Sequence, residues 1–186
     1  MDSVGERYAA RLAGLAASGR DLHGEARFCA ALLEHGGRVL DAGCGTGRVA
    51  ARLAELGFDC VGVDSDASML AVARRTSGVE WIEADLAQWT GAGDFDLVVA
   101  AGNVVPLVAD PAAVMTRLAG HVHPGGLVVT GFGLTAEQLP PGAAQLSVAT
   151  YDGWCTVAGL QLQSRYGSWD AAPFDGGYAL SVWERT

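Results

Sequence analysis

Residues 39–50 constrain the fold of this chain more than any other segment. The segment begins as a short apolar run, passes through Gly43, Gly45 and Gly47, and resumes with apolar residues at helical spacing. This order predicts a strand, a tight turn and the start of a helix, because glycine adopts positive φ without strain and lets a ligand approach the main chain. The free backbone amides at a helix start favour polar or anionic groups. We therefore expect a small molecule of the nucleoside type to bind at this turn.

The composition excludes several classes of function. A length of 186 residues suits one domain, and a net charge of −9 argues against nucleic acid as a partner, since phosphate contacts need a basic face. The chain has no lysine, which excludes Schiff-base chemistry and a P-loop. No apolar run reaches the ~20 residues of a membrane span, and the charged first helix lacks the apolar core of a signal peptide. We expect a soluble, cytoplasmic protein without membrane contact, either a monomer or a homodimer.

Neither the cysteines nor the histidines are spaced like metal ligands. The cysteines lie far apart, with no C-x-x-C pair, and each is predicted to be a small buried apolar residue. They are Cys29, Cys44, Cys60 and Cys155. His121 and His123 lie near the predicted end of a helix, where basic side chains are favoured, and no further ligand is in sight. We expect no metal site.

From residue 38 onward, short apolar runs alternate with segments of helical spacing. Strands are predicted at residues 38–42, 60–63, 79–83, 95–101 and 127–132, with helices at 46–56, 66–76 and 110–122. This alternation predicts a parallel sheet with right-handed crossovers. In such a sheet, ligands bind beyond the carboxyl ends of the strands.

The segments before and after this alternation are different. Two helices, at residues 5–18 and 25–35, precede the first strand, and we expect them to pack on the later core as a cap. Residues 147–158 are predicted to be a helix. Two long alternating runs follow, at residues 160–169 and 178–185, and they predict a hairpin that closes one edge of the sheet.

The spacing of the glycines and the charges at the strand ends separate two ligand classes. Dinucleotide folds use G-x-G-x-x-G, whereas this chain has G-x-G-x-G followed by Arg48 at the position of the third dinucleotide glycine. The first three strands end on or near Asp41, Asp64 and Asp85, whose carboxylates can accept hydrogen bonds from a ribose diol or an adenine amino group. This pattern favours a nucleoside ligand and disfavours a nicotinamide dinucleotide.

Residues 41–47, DAGCGTG, resemble the signature loop of the class I S-adenosylmethionine-dependent methyltransferases. The later motifs of that family are matched in order at residues 62–70, 85–86, 95–99 and 118–126. The resemblance implies an α/β, three-layer Rossmann-like fold with a seven-stranded, mostly parallel sheet in the order 3-2-1-4-5-7-6 and an antiparallel strand 7. It covers residues 38–186 as the methyltransferase core, and residues 1–37 resemble the helical cap of the same domain.

The resemblance also implies S-adenosyl-L-methionine as the cofactor and gives roles to matching residues. Gly43, Cys44 and Gly45 would lie against the methionine part, with Asp41 helping to position their loop. Asp64 would bind the ribose hydroxyls.

Further roles concern the adenosine and the reacting methyl group. Ser65 and Met69 would lie beside the adenosine. Asp85 would accept from the adenine amino group, with the Leu86 amide alongside. Gly102 would face the methyl-transfer end.

Two residues are candidates for the catalytic step. Asn103 stands at the reactive position of the family, but residues 102–106, GNVVP, differ from the Asn-Pro-Pro-Tyr sequence of many amine methyltransferases. The accepting atom, whether O, N or C, therefore stays open. His23, in the predicted cap, is the nearest candidate for a general base.

We expect methyl transfer to a small-molecule acceptor. One alternative is a non-catalytic S-adenosylmethionine-binding or interaction module on the same fold. The other, an NAD(P)-dependent oxidoreductase, is disfavoured by Arg48 and by the absence of a Tyr-x-x-x-Lys pair.

Overall fold

A central sheet organises the computed structural model, which describes residues 2–91 and 93–186. Its strands are β1 (Arg38–Ala42), β2 (Asp59–Asp64), β3 (Val79–Glu83), β4 (Phe95–Ala100), β5 (Val122–Gly133), β6 (Leu160–Tyr166) and β7 (Tyr178–Arg185). These seven strands of the described residues run in the order β3-β2-β1-β4-β5-β7-β6. Strand β7 is antiparallel to both of its neighbours, and the other pairings are parallel. The predicted fold class and strand order are confirmed.

Helices cover both faces of the sheet. They are α1 (Val4–Ala17), α2 (Gly24–Ala30), α3 (Arg48–Glu55), α4 (Ala67–Ala73), α5 (Val104–Leu107), α6 (Pro111–His121) and α7 (Val148–Val157). Alternate residues of a central strand point into opposite layers: Leu40 belongs to the apolar cluster under α6 and α7, and Val39 to the cluster under α2 and α3. None of the helices in the described ranges is long and apolar enough to span a bilayer.

Helix starts agree with the capping residues in the sequence. Asp66 accepts the amides of Ser68 and Met69 and begins α4, as predicted. Asp110 accepts the amide of Ala113, and Pro111 occupies the first turn of α6.

The largest differences from the sequence-based expectation concern three elements. Helix α2 ends at Ala30 rather than at residue 35, and Leu32 and Leu33 both pack on the same apolar cluster. The amide of Leu32 donates to the carbonyl oxygen of Cys29, three residues earlier, so the helix tightens and ends there. Helix α5 was not predicted, because a single turn is too short to show a helical period.

The third difference is the start of β5. The sequence predicts a turn at residues 124–126 before the strand, but β5 already begins at Val122, which pairs with Phe95. Leu127 pairs with Leu97, so the residues between form an irregular insertion in the ladder. Pro124 lies in this insertion, where its missing N–H does not interrupt a hydrogen bond of the sheet.

The first two helices pack on separate parts of the core. In α1, the amide of Gly5 donates to the Oγ of Ser68 on α4 at 3.1 Å. A Cβ on Gly5 would lie 2.1 Å from the carbonyl oxygen of Ser68, so this contact requires glycine. Helix α2 packs on α3. The division into a cap, residues 1–37, and a core, residues 38–186, stays a prediction.

Candidate active site

A cavity of about 670 Å³ opens at the carboxyl ends of β1, β2, β3 and β4. The residues predicted to bind the cofactor all lie on its wall, namely Asp41, Gly43, Cys44, Gly45, Asp64, Ser65, Met69, Asp85, Leu86 and Gly102. The topology explains this gathering, because parallel strands bring their carboxyl ends to one edge of the sheet. The volume is within the range of small-molecule sites.

The three glycines of the loop after β1 all have positive φ: 74° at Gly43, 55° at Gly45 and 83° at Gly47. A Cβ on Gly43 would lie 2.5 Å from Cγ2 of Val104, so this glycine is required by packing within the protein. At Gly45 no atom lies within 4 Å of the Cβ position. The wall at Gly45 is therefore bare main chain facing open space, as a closely bound ligand requires.

Asp64, at the end of β2, holds this loop in place. Its Oδ2 accepts the amide of Gly45 at 2.7 Å, and its Oδ1 accepts the amide of Asp66 at 2.8 Å. A carboxylate has about four acceptor sites, so each oxygen keeps capacity for a further donor. The carboxylate is thus fixed by the protein and still able to accept hydrogen bonds from a ligand.

Asp41 stabilises the helix after the loop rather than the loop itself. Its Oδ2 accepts the amide of Ala50, in the first turn of α3, whereas the loop amide of Gly45 goes to Asp64. Asp41 is 2% exposed, and burial raises the pKa of its carboxyl from 3.8 to about 7, against the opposing effects of the Ala50 amide and Arg48. Asp41 therefore titrates near neutral pH.

The loop after β3 forms the far wall of the cavity. Asp85 is exposed, and its Oδ1 accepts the amide of Ala87 at 2.9 Å, which leaves Oδ2 available to a ligand. Leu86 points the other way and is buried in the apolar cluster under α6. Ser65, in the β2–α4 connection, and Met69, in α4, line the same cavity.

The two catalytic candidates do not line the cavity. Asn103 has a φ of 69°, its Oδ1 accepts the amide of Gly133 at 2.7 Å, and its Nδ2 donates to the carbonyl oxygen of Gln138 at 3.3 Å. These contacts join the loop after β4 to the end of β5. His23 is exposed and immediately precedes α2. Both catalytic assignments stay predictions, and the geometry gives Asn103 a structural task.

The cavity wall also contains residues that the sequence did not indicate. Tyr8 and Arg48 line it on the side of the N-terminal helices, and Leu107, Val108 and Asp110 line it beyond β4. For Arg48 the sequence did contain a clue, because this residue directly follows the glycine loop. None existed for Tyr8, because its position depends on the packing of α1 against α4.

The histidines near α6 make local contacts within the protein. The ring of His121 packs on that of Trp89, with the centroids 4.4 Å apart, and burial lowers its pKa. His123 contacts Asp96 at 3.1 Å and the carbonyl oxygen of Pro124. In the ranges 2–91 and 93–186 no group of three or more His, Cys, Asp or Glu side chains is placed to hold a metal.

Comparison with known proteins agrees with the fold and the glycine loop. Residues 39–126 match a family described as a methyltransferase domain. A TehB-like SAM-dependent methyltransferase from Corynebacterium glutamicum superposes with a TM-score of 0.88 and 31% sequence identity, covering 98% of each chain.

Curated relatives share a smaller part of their length. A trans-aconitate 2-methyltransferase from Azoarcus is 39% identical over 99 residues, which are 52% of this chain and 39% of that protein. A ubiquinone biosynthesis O-methyltransferase from Nitrosococcus oceani is 29% identical over 158 residues, which are 71% of this chain and 66% of that protein. The chain thus spans between about two fifths and two thirds of these two relatives.

The fold and the site define a Rossmann-like methyltransferase. The chain belongs to the S-adenosylmethionine-dependent methyltransferases, and its cofactor is S-adenosyl-L-methionine. This membership sets aside the nicotinamide-dependent alternative.

Proposed function

We propose that this methyltransferase holds S-adenosylmethionine in the cavity at the carboxyl ends of β1–β4 and transfers its methyl group to a small, uncharged acceptor. The charge of the cavity wall carries the proposal. Besides the buried Asp41, the described lining residues include three aspartates, Asp64, Asp85 and Asp110, but a single arginine, Arg48. Arg48 is itself neutralised by Glu25. Such a wall favours a cationic sulfonium cofactor and repels an anionic acceptor.

The protein groups at the wall match the parts of the cofactor. Asp64 would accept the ribose hydroxyls through the acceptor sites that Gly45 and Asp66 leave unused. Asp85 would accept the adenine amino group through Oδ2. The open space in front of Gly45 would admit the methionine part.

The cofactor supplies a methyl group already activated on a sulfonium, so the protein mainly aligns the acceptor and excludes water. Val104, Leu107 and Val108 give the wall beyond β4 an apolar surface that suits these tasks. Apart from Arg48, no described residue that lines the cavity carries a positive charge that could bind a carboxylate of the acceptor.

The names of the two relatives indicate acceptors that differ in charge. Trans-aconitate carries several carboxylates, which the acidic wall would repel. O-methylation of the kind named for ubiquinone biosynthesis requires no anionic acceptor. We therefore propose a neutral acceptor, with its nucleophilic atom, whether O, N or C, still open.

An isotope-transfer assay tests this proposal. The protein is incubated with S-adenosylmethionine carrying a tritiated methyl group and with paired acceptors, such as catechol against its carboxylated analogue and a primary alcohol against the matching acid. We expect label in the neutral member of at least one pair. Preferential labelling of the carboxylated members would contradict the uncharged acceptor. Binding of S-adenosylhomocysteine with no transfer to any acceptor or metabolite extract would favour the non-catalytic module.

A further inference from the structure

We propose that Arg48 is a positioning residue for methyl transfer, because it fastens the start of α2, and Leu22 just before it, to the glycine-loop helix and so retains the cofactor in its cavity. We call Leu22, Glu25 and Arg48 the cap clasp. The proposal rests on the cofactor site proposed above. Arg48 and Glu25 act by holding the chain in place and do not contact the reacting atoms.

The geometry of the cap clasp is two-pronged. The Nη1 of Arg48 donates to Oε2 of Glu25 at 2.7 Å, and its Nη2 donates to Oε1 at 2.5 Å. Nη1 also donates to the carbonyl oxygen of Leu22. Paired, parallel hydrogen bonds between a guanidinium and a carboxylate are stronger and more directional than a single ion contact.

The cap clasp lies at the junction of the cavity and the cap. Arg48 is the first residue of α3, directly after Gly47, and it lines the cavity. The side chains of Arg48 and Glu25 are 21% and 18% exposed, so solvent screens their attraction only in part. The pair therefore ties the segment around residues 22–25 to the wall beside the glycine loop.

On its other side, α2 contacts the connection between β6 and β7. Phe28 packs edge-on against Trp169, with the ring centroids 5.7 Å apart, and Arg27 contacts Asp170 at 3.2 Å. The indole N–H of Trp169 donates to the hydroxyl of Tyr178 at 3.0 Å, and burial raises the pKa of Tyr178, so this hydroxyl stays protonated. Helix α2 thus lies between the glycine-loop helix, which the cap clasp holds, and the connection to the antiparallel strand β7.

The same helix supplies a matched control. Arg52 contacts Glu55 at 2.7 Å, one turn after Arg48, but this pair lies within α3 and its side chains are 40% and 62% exposed. It joins no second element. Replacing Arg52 with Gln removes the same type of charge from the same helix and should not alter cofactor binding.

Titration with S-adenosylhomocysteine and steady-state kinetics test the proposal in Arg48→Gln, Glu25→Gln, the double variant and Arg52→Gln. We expect both single variants to raise Kd and the KM for S-adenosylmethionine about tenfold through faster dissociation, with kcat changed less than twofold. The double variant should lose no more than either single variant, since both break one unit. Arg52→Gln should match the unaltered protein.

Hydrogen exchange and a conservative variant separate positioning from general destabilisation. Amides of residues 22–25 should exchange faster in Arg48→Gln and Glu25→Gln, while those of β1 and β4 keep their protection. Arg48→Lys keeps the charge but not the paired hydrogen bonds, so its Kd should lie between those of the unaltered protein and Arg48→Gln.

Several results would overturn the cap clasp. If Glu25→Gln binds normally while Arg48→Gln does not, Arg48 acts directly on the cofactor. If both bind normally, or if exchange accelerates throughout the sheet, the segment does not retain the ligand. If the unaltered protein fails to bind S-adenosylhomocysteine, the cofactor site itself fails and the cap clasp with it.

Discussion

The two halves of the sheet use their polar side chains in different ways. On the side of β5, β7 and β6, polar groups are paired with one another. The hydroxyl of Tyr151 contacts Oγ1 of Thr130 at 2.5 Å and accepts the indole N–H of Trp183 at 2.8 Å, in a fully buried site. Arg165 makes a two-pronged pair with Asp152. These groups stabilise the fold and offer little to a ligand.

On the side of β3, β2, β1 and β4, the carboxylates keep unused capacity. Asp64 and Asp85 each bond to backbone amides and still present acceptor sites to the cavity. Asp41 is buried so deeply that its pKa rises to about 7. Polar groups that the protein satisfies only in part, at one edge of a sheet, therefore mark the functional half of the molecule. Substitutions of the buried Tyr151 in one half and of Asp85 in the other should separate stability from binding.

The largest expected effect concerns Asp41 and pH. Because its folded pKa is about 7 against 3.8 for an ordinary aspartate, the folded protein holds a proton between these values that the unfolded chain has released. Folding takes up a proton there, so this residue makes the free energy of unfolding fall as pH rises from about 4 to 7, by up to about 4 kcal/mol.

The isosteric variant Asp41→Asn tests this effect. Its Oδ1 can still accept the Ala50 amide, but the side chain cannot ionise. Chemical denaturation between pH 4 and 8 should show a flatter dependence in Asp41→Asn than in the unaltered protein. Parallel pH profiles would show that Asp41 is not the titrating group.

A smaller loss of stability is expected from Tyr151→Phe in the other half. The change leaves the buried N–H of Trp183 and hydroxyl of Thr130 without their partner, which should cost about 2 kcal/mol. The affinity for S-adenosylhomocysteine should be unchanged. In Thr130→Val the bond between Tyr151 and Trp183 survives, so less stability should be lost. A large change in affinity in either variant would break the distinction between the halves.

The smallest of the three effects is expected from Asp85→Asn. The amide Nδ2 cannot accept from the adenine amino group, so the affinity for S-adenosylhomocysteine should fall about tenfold. Glu83→Gln, an exposed neighbour at the end of β3, is the matched control. Equal effects of the two variants would remove Asp85 from the adenine site.

The sequence predicted the parts of the fold that depend on local patterns. Strands β1 and β3 were placed at their observed bounds, because apolar runs beside glycine and aspartate are distinctive. Asp41, Asp64 and Asp85 of the cavity wall were predicted from their positions at or near strand ends. The resemblance to the family, by contrast, implied three further residues of the wall, Ser65, Met69 and Leu86.

The rest depends on contacts between distant segments. Tyr8 reaches the cavity only because Gly5 fits against Ser68, and no periodicity in the first helix encodes this contact. The partner of Arg48 lies 23 residues earlier, in Glu25. Leu32 and Leu33, just after the early end of α2, likewise pack on a cluster built from distant strands. Such features follow from packing in three dimensions and leave only weak traces in the sequence.

Calorimetry can test directly whether the cavity at the carboxyl ends of β1–β4 binds the cofactor. S-adenosylhomocysteine is titrated into the unaltered protein, Asp64→Asn and Asp59→Asn. Both aspartates belong to β2, but Asp59 is exposed at the opposite end of the strand, near Arg38. We expect saturable binding at one site, and no change of affinity in Asp59→Asn. In Asp64→Asn the affinity should fall roughly 10- to 100-fold, because the charge-assisted hydrogen bonds to ribose are lost. Unaltered affinity in Asp64→Asn, or no binding by the unaltered protein, would contradict the assignment of this cavity as the cofactor site.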